Sequence, residues 1–279
     1  MSSSSVSRVH HLNCASFRPA LGRLPLMPER LVAHCLLAER PDGLVLVDTG
    51  FGTGDLADPK RLGPTRTVLG ATLDPREPAV TQIEGLGFSA ADVTDVVVTH
   101  LDLDHAGGLS DFPDARVHVM ADELAAARAR RSPREKGRYV EKQWAHGPRW
   151  TEHGSGGEAW NGFTALPVVG DDVLVLPLRG HTRGHAAVAV RRPGDAGWLL
   201  HAGDAFFFHG EMDRPPTCPS GLRLFQTMVQ MDKTARHANQ ERLRDLVART
   251  ETSGPDGVTV FCAHDAVMFD RLAASAQHA

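Results

Sequence analysis

A β-branched run over residues 93–99 (VTDVVVT) leads without a break into His100-Leu101-Asp102-Leu103-Asp104-His105-Ala106-Gly107-Gly108. Such a run reads as a buried strand, and four potential metal ligands follow it within six residues. Leu101 and Leu103 alternate with them, so the polar groups can share one side while the leucines anchor the loop in a core. Gly107 and Gly108 let the chain turn closely away from a crowded site. Mixed carboxylates and imidazoles suit Zn, Fe, Mn or Co. The plainer account is a loop of hydrogen-bonded polar residues.

Three further segments weigh against that account. Gly180-His181-Thr182-Arg183-Gly184-His185 lies between the apolar runs 173–178 and 186–191. His201-Ala202-Gly203-Asp204 closes the run 197–201, and Cys262-Ala263-His264-Asp265 closes the run 257–262. Four strand ends thus offer His or Asp at the edge where α/β proteins place active sites. Further strands are expected at 31–39, at 44–48 after a Pro41-Asp42-Gly43 turn, and at 116–120. Helices are expected at 79–87, 121–131, 239–249 and 266–277. Residues 1–9 read as frayed and 51–78 as a long loop. Two sheets packed face to face with helices outside would satisfy this order.

Composition narrows the partners. Hydrophobic residues are 42% and charged residues 23% of the 279, as in an ordinary globular domain. A net charge of −4 provides no global positive field for a polyanion, so nucleic acid is not an expected partner. No apolar run reaches the roughly 18–20 residues that cross a bilayer, and the N-terminus lacks the apolar stretch of a secretion signal. A cytoplasmic protein with no membrane partner is expected. Cys14, Cys35, Cys218 and Cys262 form no C-x-x-C pair and read as reduced thiols.

The blocks Leu44-Val-Leu-Val-Asp48-Thr-Gly, His100–His105, G-H-T-R-G-H, G-D-A and the last A-H-D, taken in order, resemble the metallo-β-lactamase superfamily. Its pattern is H-x-H-x-D-H, then a distant His, a distant Asp and a last His. The nearest resemblance is to the N-acyl homoserine lactonase and glyoxalase-II-like branches, where the first block continues as D-H-A-G-G. The resemblance implies an α/β fold: a four-layer αβ/βα sandwich of two mixed β-sheets with helices outside. It implies a metal-dependent hydrolase of a small ester, lactone, thioester or lactam, attacked by a hydroxide shared between two divalent ions. Zinc is the first expectation for both ions.

Carried over residue by residue, the pattern assigns His100, Asp102 and His185 to a first ion. It assigns Asp104, His105 and His264 to a second, with Asp204 bridging. Asp104 and Asp204 carry the catalytic expectation, Asp104 as both ligand and proton carrier. His185 is taken as the ligand of G-H-T-R-G-H, and His181 as a residue orienting the loop. Asp48 is read as a second-layer partner of a ligand imidazole or, equally, as a strand-end turn residue.

Two departures stand out. Asp102 replaces the usual His, which adds negative charge and leaves room for Fe or Mn. It also motivates an alternative, an iron-dependent redox enzyme on the same fold. Phe207 stands where some lactonase relatives have a Tyr, and the chain's single Tyr is Tyr139.

A single domain over residues 1–279 is expected, with 121–165 as a lid-like insertion. Trp144, His146, Trp150 and Trp160 within it either line a pocket or form a small core of their own. Arg128, Arg130, Arg131, Arg134, Lys136 and Arg138 read as a solvated helix face. His10, His11 and Cys14 are weak ligand candidates, and His209 is a rim candidate. A small-molecule substrate is the expected partner, with the oligomeric state left open and a homodimer as one reading.

Overall fold

The computed structural model describes residues 5–19, 26–250 and 254–276, and twelve strands in it form two six-stranded sheets. The first sheet contains β1 (Arg8–Phe17), β2 (Leu31–Arg40), β3 (Gly43–Val47), β4 (Val93–Val97), β5 (Arg116–Met120) and β6 (Arg149–His153), side by side in chain order. β1 to β3 pair antiparallel and β3 to β6 pair parallel. The second sheet runs β12 (Val258–Phe261), β11 (Trp198–His201), β10 (Ala186–Arg191), β9 (Val173–Pro177), β8 (Phe163–Val169), β7 (Glu158–Trp160). Only the β11–β12 pair in it is parallel.

The strand sequences explain the layering. In β2 and β3, Leu36, Ala38, Val45 and Val47 join Val173, Val175, Val188 and Leu200 in one core between the sheets. Their neighbours Leu37, Leu44 and Leu46 join Ala79, Ile83, Ala126 and Ala127 in a second core under the helices. A strand covered on both faces reads as a continuous apolar run, which is why LVLV was legible. Fully burying each such side chain contributes about 1.5–3 kcal/mol, so both faces hold β3 in place.

The helices are α1 (Thr53–Ala57), α2 (Thr65–Leu69), α3 (Ala79–Gly85), α4 (Ala121–Ala129), α5 (Pro133–Arg138), α6 (Ser220–Val229), α7 (Lys233–Arg249) and α8 (Ala266–Ala276). α3 and α4 cover the outer face of the first sheet. Leu243 and Leu246 of α7, with Met268 and Leu272 of α8, extend the core of the second sheet. This is the expected sandwich of two mixed sheets with helices outside. Among the described residues, no helix is long and apolar enough to cross a membrane.

Several elements differ from the sequence expectation. Arg8 and Val9, expected as frayed, begin β1; residues 1–4 of that stretch lie outside the described residues, as does residue 277 of the last helix. β1 was not legible because its buried side chains are interrupted by His10, His11 and Asn13. The expected loop 51–78 contains α1 and α2.

The stretch 121–165, expected as a lid, is mostly framework. β6 extends the first sheet at its edge, and β7 and β8 extend the second. Edge strands such as β6 (RWTEH) have one neighbour and a half-wet face, so they carry no apolar run. Trp144 and Trp150 pack on the core under the helices, and Trp160 packs edge-on against Trp198 with ring centroids 5.5 Å apart. From this stretch, only α5 reaches the pocket described next.

Candidate metal centre

Five strand ends open toward one place. After β3 comes Asp48, after β4 comes His100, after β9 comes His181, after β11 comes Asp204 and after β12 comes His264. Two groups of donors result. His100, Asp102, His181 and Asp204 form one; Asp104, His105 and His264 form the other; within each group one donor atom per residue lies within 4.8 Å of the rest. Asp204 lies between them. Its Oδ2 is 3.7 Å from His100 Nε2 and 3.3 Å from His181 Nε2, and its Oδ1 is 3.4 Å from His105 Nε2 and 3.1 Å from His264 Nε2. Asp104 reaches the second group, with Oδ2 3.7 Å from His264 Nε2.

The far sides of three of the imidazoles are tied back. His100 Nδ1 donates to Thr99 Oγ1 at 2.9 Å, and that hydroxyl donates to Asp48 Oδ2 at 2.7 Å. His105 Nδ1 donates to Asp48 Oδ2 at 2.8 Å, and His264 Nδ1 donates to the Val32 carbonyl at 2.7 Å. With the proton held on Nδ1, each Nε2 presents a lone pair to the centre. Asp48 thus orients two rings, and it does so from a strand-end turn with φ +55°. An Asp48→Ala variant should retain its ions 10–100-fold less firmly against a chelator, about the cost of losing such a supporting carboxylate. Unchanged retention would remove Asp48 from this role.

One assignment is corrected. His185, expected as the ligand of the G-H-T-R-G-H segment, has both ring nitrogens engaged. Nδ1 donates to the Leu178 carbonyl at 2.9 Å, and Nε2 accepts from the Asp204 amide at 2.9 Å. A neutral imidazole has one donor and one acceptor, so nothing remains for an ion. Burial first, and then the neighbouring His100 and His181, push its pKa well below the usual His value, in keeping with the neutral form. His185 fixes the backbone of Asp204, while His181 faces the donors, its Nε2 3.0 Å from Asp102 Oδ2.

Two glycines admit this crowding. Gly203 has φ +53°, and a Cβ there would stand 2.6 Å from His185 Nε2. A Cβ on Gly107 would stand 2.4 Å from Asp55 Oδ2, so the expected close turn after His105 is required by contact.

Two residues escaped the sequence reading. Glu123, at the start of α4, is fully buried and accepts from the Leu101 amide at 3.0 Å and the Gly184 amide at 3.1 Å. It joins the two loops that carry His100 and His181. Arg138 was grouped with a solvated helix face, yet its side chain is 6% exposed. Its Nη1 donates to both oxygens of Asp102, at 3.1 and 3.0 Å, and its Nη2 donates to the Val229 carbonyl. The available signal was Asp102 itself, since an extra, partly buried carboxylate calls for a cation beside it.

The weaker candidates lie elsewhere. His10 pairs with Glu39, His11 with His34, and His209 with Asp265. Cys14 packs in the core under the helices, and His146 is exposed.

A cavity of about 260 Å³ opens onto the donors. Phe17, Phe207, Phe225 and Met228 contribute an apolar wall; Arg134 and Arg138 border it. Phe207 stacks on the His264 ring at 4.9 Å between centroids. Tyr139 is 1% exposed in the core under the helices, so it is not the hydroxyl missing at position 207.

The charges favour a cation. Burial alone would raise the Asp204 pKa, but His264, His105 and His181 around it hold the carboxyl well below its usual range. Burial likewise opposes protonation of His105, yet Asp204 and Asp48 raise its pKa well above the ordinary His value. Burial and then Arg138 push His181 down to about 4. His100 Nε2, His105 Nε2 and Asp204 Oδ1 are buried without a hydrogen-bond partner. Buried polar atoms without partners are costly, and here they converge with three carboxylates. Nitrogen and carboxylate donors of this kind suit Zn, Fe or Mn. The residues present fit a pair of divalent cations with Asp204 between them.

Residues 28–264 match the model of the metallo-beta-lactamase superfamily. A protein of Mycobacterium tuberculosis named probable metallo-hydrolase is 44% identical over 263 residues, covering 92% of this chain and 80% of its own. An N-acyl homoserine lactonase of Rhizobium radiobacter is 30% identical over 200 residues, covering 69% of this chain and 70% of its own. Among solved structures, an N-acyl homoserine lactone hydrolase with product bound at its catalytic metal centre superposes with TM-score 0.71 at 18% identity, covering 96% of both chains. A dizinc quorum-quenching lactonase superposes with TM-score 0.60 at 15% identity, covering 95% of this chain and 92% of its own.

Proposed function

The chain belongs to the metallo-β-lactamase superfamily and is a metal-dependent hydrolase; from that premise we propose that it opens a small ester or lactone carrying an apolar group, using two divalent ions. The observation that carries this reading is Asp204, with one oxygen facing His100 and His181 and the other facing His105 and His264. When bound, a pair of cations supplies Lewis acidity, lowering the pKa of a shared water and polarising the bond under attack. His100, Asp102, His181 and Asp204 would hold one ion; Asp104, His105, His264 and Asp204 would hold the other.

The side chains supply the rest. Among the described residues, Asp104 has no Arg or Lys partner, and it lines the cavity, so a lone pair can orient the attacking water and take its proton. Phe17, Phe207 and Phe225 exclude water around the scissile bond and accept an apolar acyl portion. A cavity of about 260 Å³ is the size of a small molecule. Likeness to lactonases in sequence and fold supports trying lactones first, ahead of thioesters and lactams.

Dialysis against a strong chelator should abolish turnover and lower the melting temperature. Each tight ion restored should return about 3–4 kcal/mol when free metal stands 100- to 1,000-fold above Kd. The test is elemental analysis of the purified protein with a screen of lactone, thioester and β-lactam substrates, then reconstitution with Zn, Mn or Fe separately. A protein holding no stoichiometric metal, or one holding iron and consuming oxygen without hydrolysis, would overturn the proposal.

A further inference from the structure

Asp102 and Arg138 are each hard to account for alone. Asp102 places a third carboxylate in a donor set that, by the superfamily pattern, has two. Arg138 brings a buried guanidinium to within 3.0 Å of an oxygen facing His100 and His181. A fixed positive charge beside a cation site opposes metal binding. Taken together they cancel. With imidazoles neutral, Asp102, Asp104, Asp204 and Arg138 sum to −3 + 1 = −2. The superfamily pattern, with His at position 102 and two carboxylates, also sums to −2.

The surroundings show that the pairing is built. Of the run Arg128, Arg131, Arg134, Lys136 and Arg138, the first four are exposed and Arg138 is buried. α5 is capped by Ser132, whose hydroxyl accepts from the Glu135 amide. This fixes the start of the short helix whose last residue is Arg138. Nη2 is held by the Val229 carbonyl at the end of α6, so the guanidinium is clamped from both sides of the cavity.

We infer that Arg138 is a positioning residue that sets the charge of the first ion's site, and that Asp102 and Arg138 form one exchangeable unit equivalent to the usual neutral ligand. The inference rests on the two-metal reading above. Its consequence runs against the superfamily pattern: restoring the usual His at this position should harm this protein while Arg138 remains. The imidazole of an Asp102→His variant leaves the guanidinium uncompensated beside the ion. Removing the guanidinium as well returns the sum to −2.

The experiment is a double-mutant cycle of Asp102→His and Arg138→Gln, read by metal content after timed chelator dialysis and by melting temperature with and without Zn²⁺. Asp102→His alone should weaken retention of one ion by on the order of 10–100-fold. The double variant should recover to within about threefold of wild type, a coupling of the size measured between contacting groups. With Asp102 in place, Arg138→Lys keeps the sum at −2 and should retain metal within about threefold of wild type, while Arg138→Gln leaves −3 and should retain metal no less firmly. If Arg138 only straps α5 to α6, Arg138→Gln lowers melting equally on both backgrounds, the double variant retains no more metal than Asp102→His, and the inference falls. Asp102→Asn, nearly isosteric, repeats the cycle should the His variant not fold. A wild-type protein without stoichiometric metal would instead overturn the two-metal reading itself.

Discussion

Asp204→Asn should keep the fold and lose turnover by about a thousandfold or more, together with stoichiometric metal. Charge is the reason: this carboxylate faces four imidazoles, two on each oxygen. The amide has the same shape but turns an N–H₂ toward one pair of lone pairs, a hydrogen bond where a cation should sit. Lewis-acid assistance amounts to several kcal/mol, and each 1.36 kcal/mol is about a factor of ten in rate. Without metal, the variant should melt within a few degrees of metal-free wild type, because a buried charge has been removed and the backbone contact from His185 remains. Steady-state turnover, metal content and a melting curve decide it together. Full turnover would refute the mechanism, and collapse of the metal-free fold would assign Asp204 a structural role.

Glu123→Ala should be the most destabilising single change at the site. It strips the acceptor from two buried amides, Leu101 and Gly184, which sit in loops about eighty residues apart in sequence. Each orphaned N–H costs about 1–3 kcal/mol, so a loss of roughly 2–6 kcal/mol is expected, or a fall in melting temperature on the order of 10 °C. Glu123→Gln should cost about half as much, since its amide oxygen satisfies one N–H while its N–H₂ opposes the other. Both variants should lose metal retention, because His100 and His181 move with those loops. Wild-type melting of Glu123→Ala would show that the loops are held by other contacts.

The sequence alone determined the strand runs buried on both faces, and with them most of the sandwich. It also placed the His and Asp residues at the strand ends. Those features are local: an apolar run bounded by a turn, and polar residues after it, are visible without neighbours. What the sequence could not show was which atoms of those residues were already in use. His181 and His185 are alike in spacing, but the Leu178 carbonyl and Asp204 amide occupy both nitrogens of His185. Arg138 looked like one solvated arginine among several, and Glu123 like an ordinary first-turn acid of a helix. Only the packing of α5 against α6, and of α4 beneath the two loops, buried those charges and gave them partners. Hydrogen-bond saturation and burial belong to pairs of segments far apart in the chain, so the tertiary structure alone decided them.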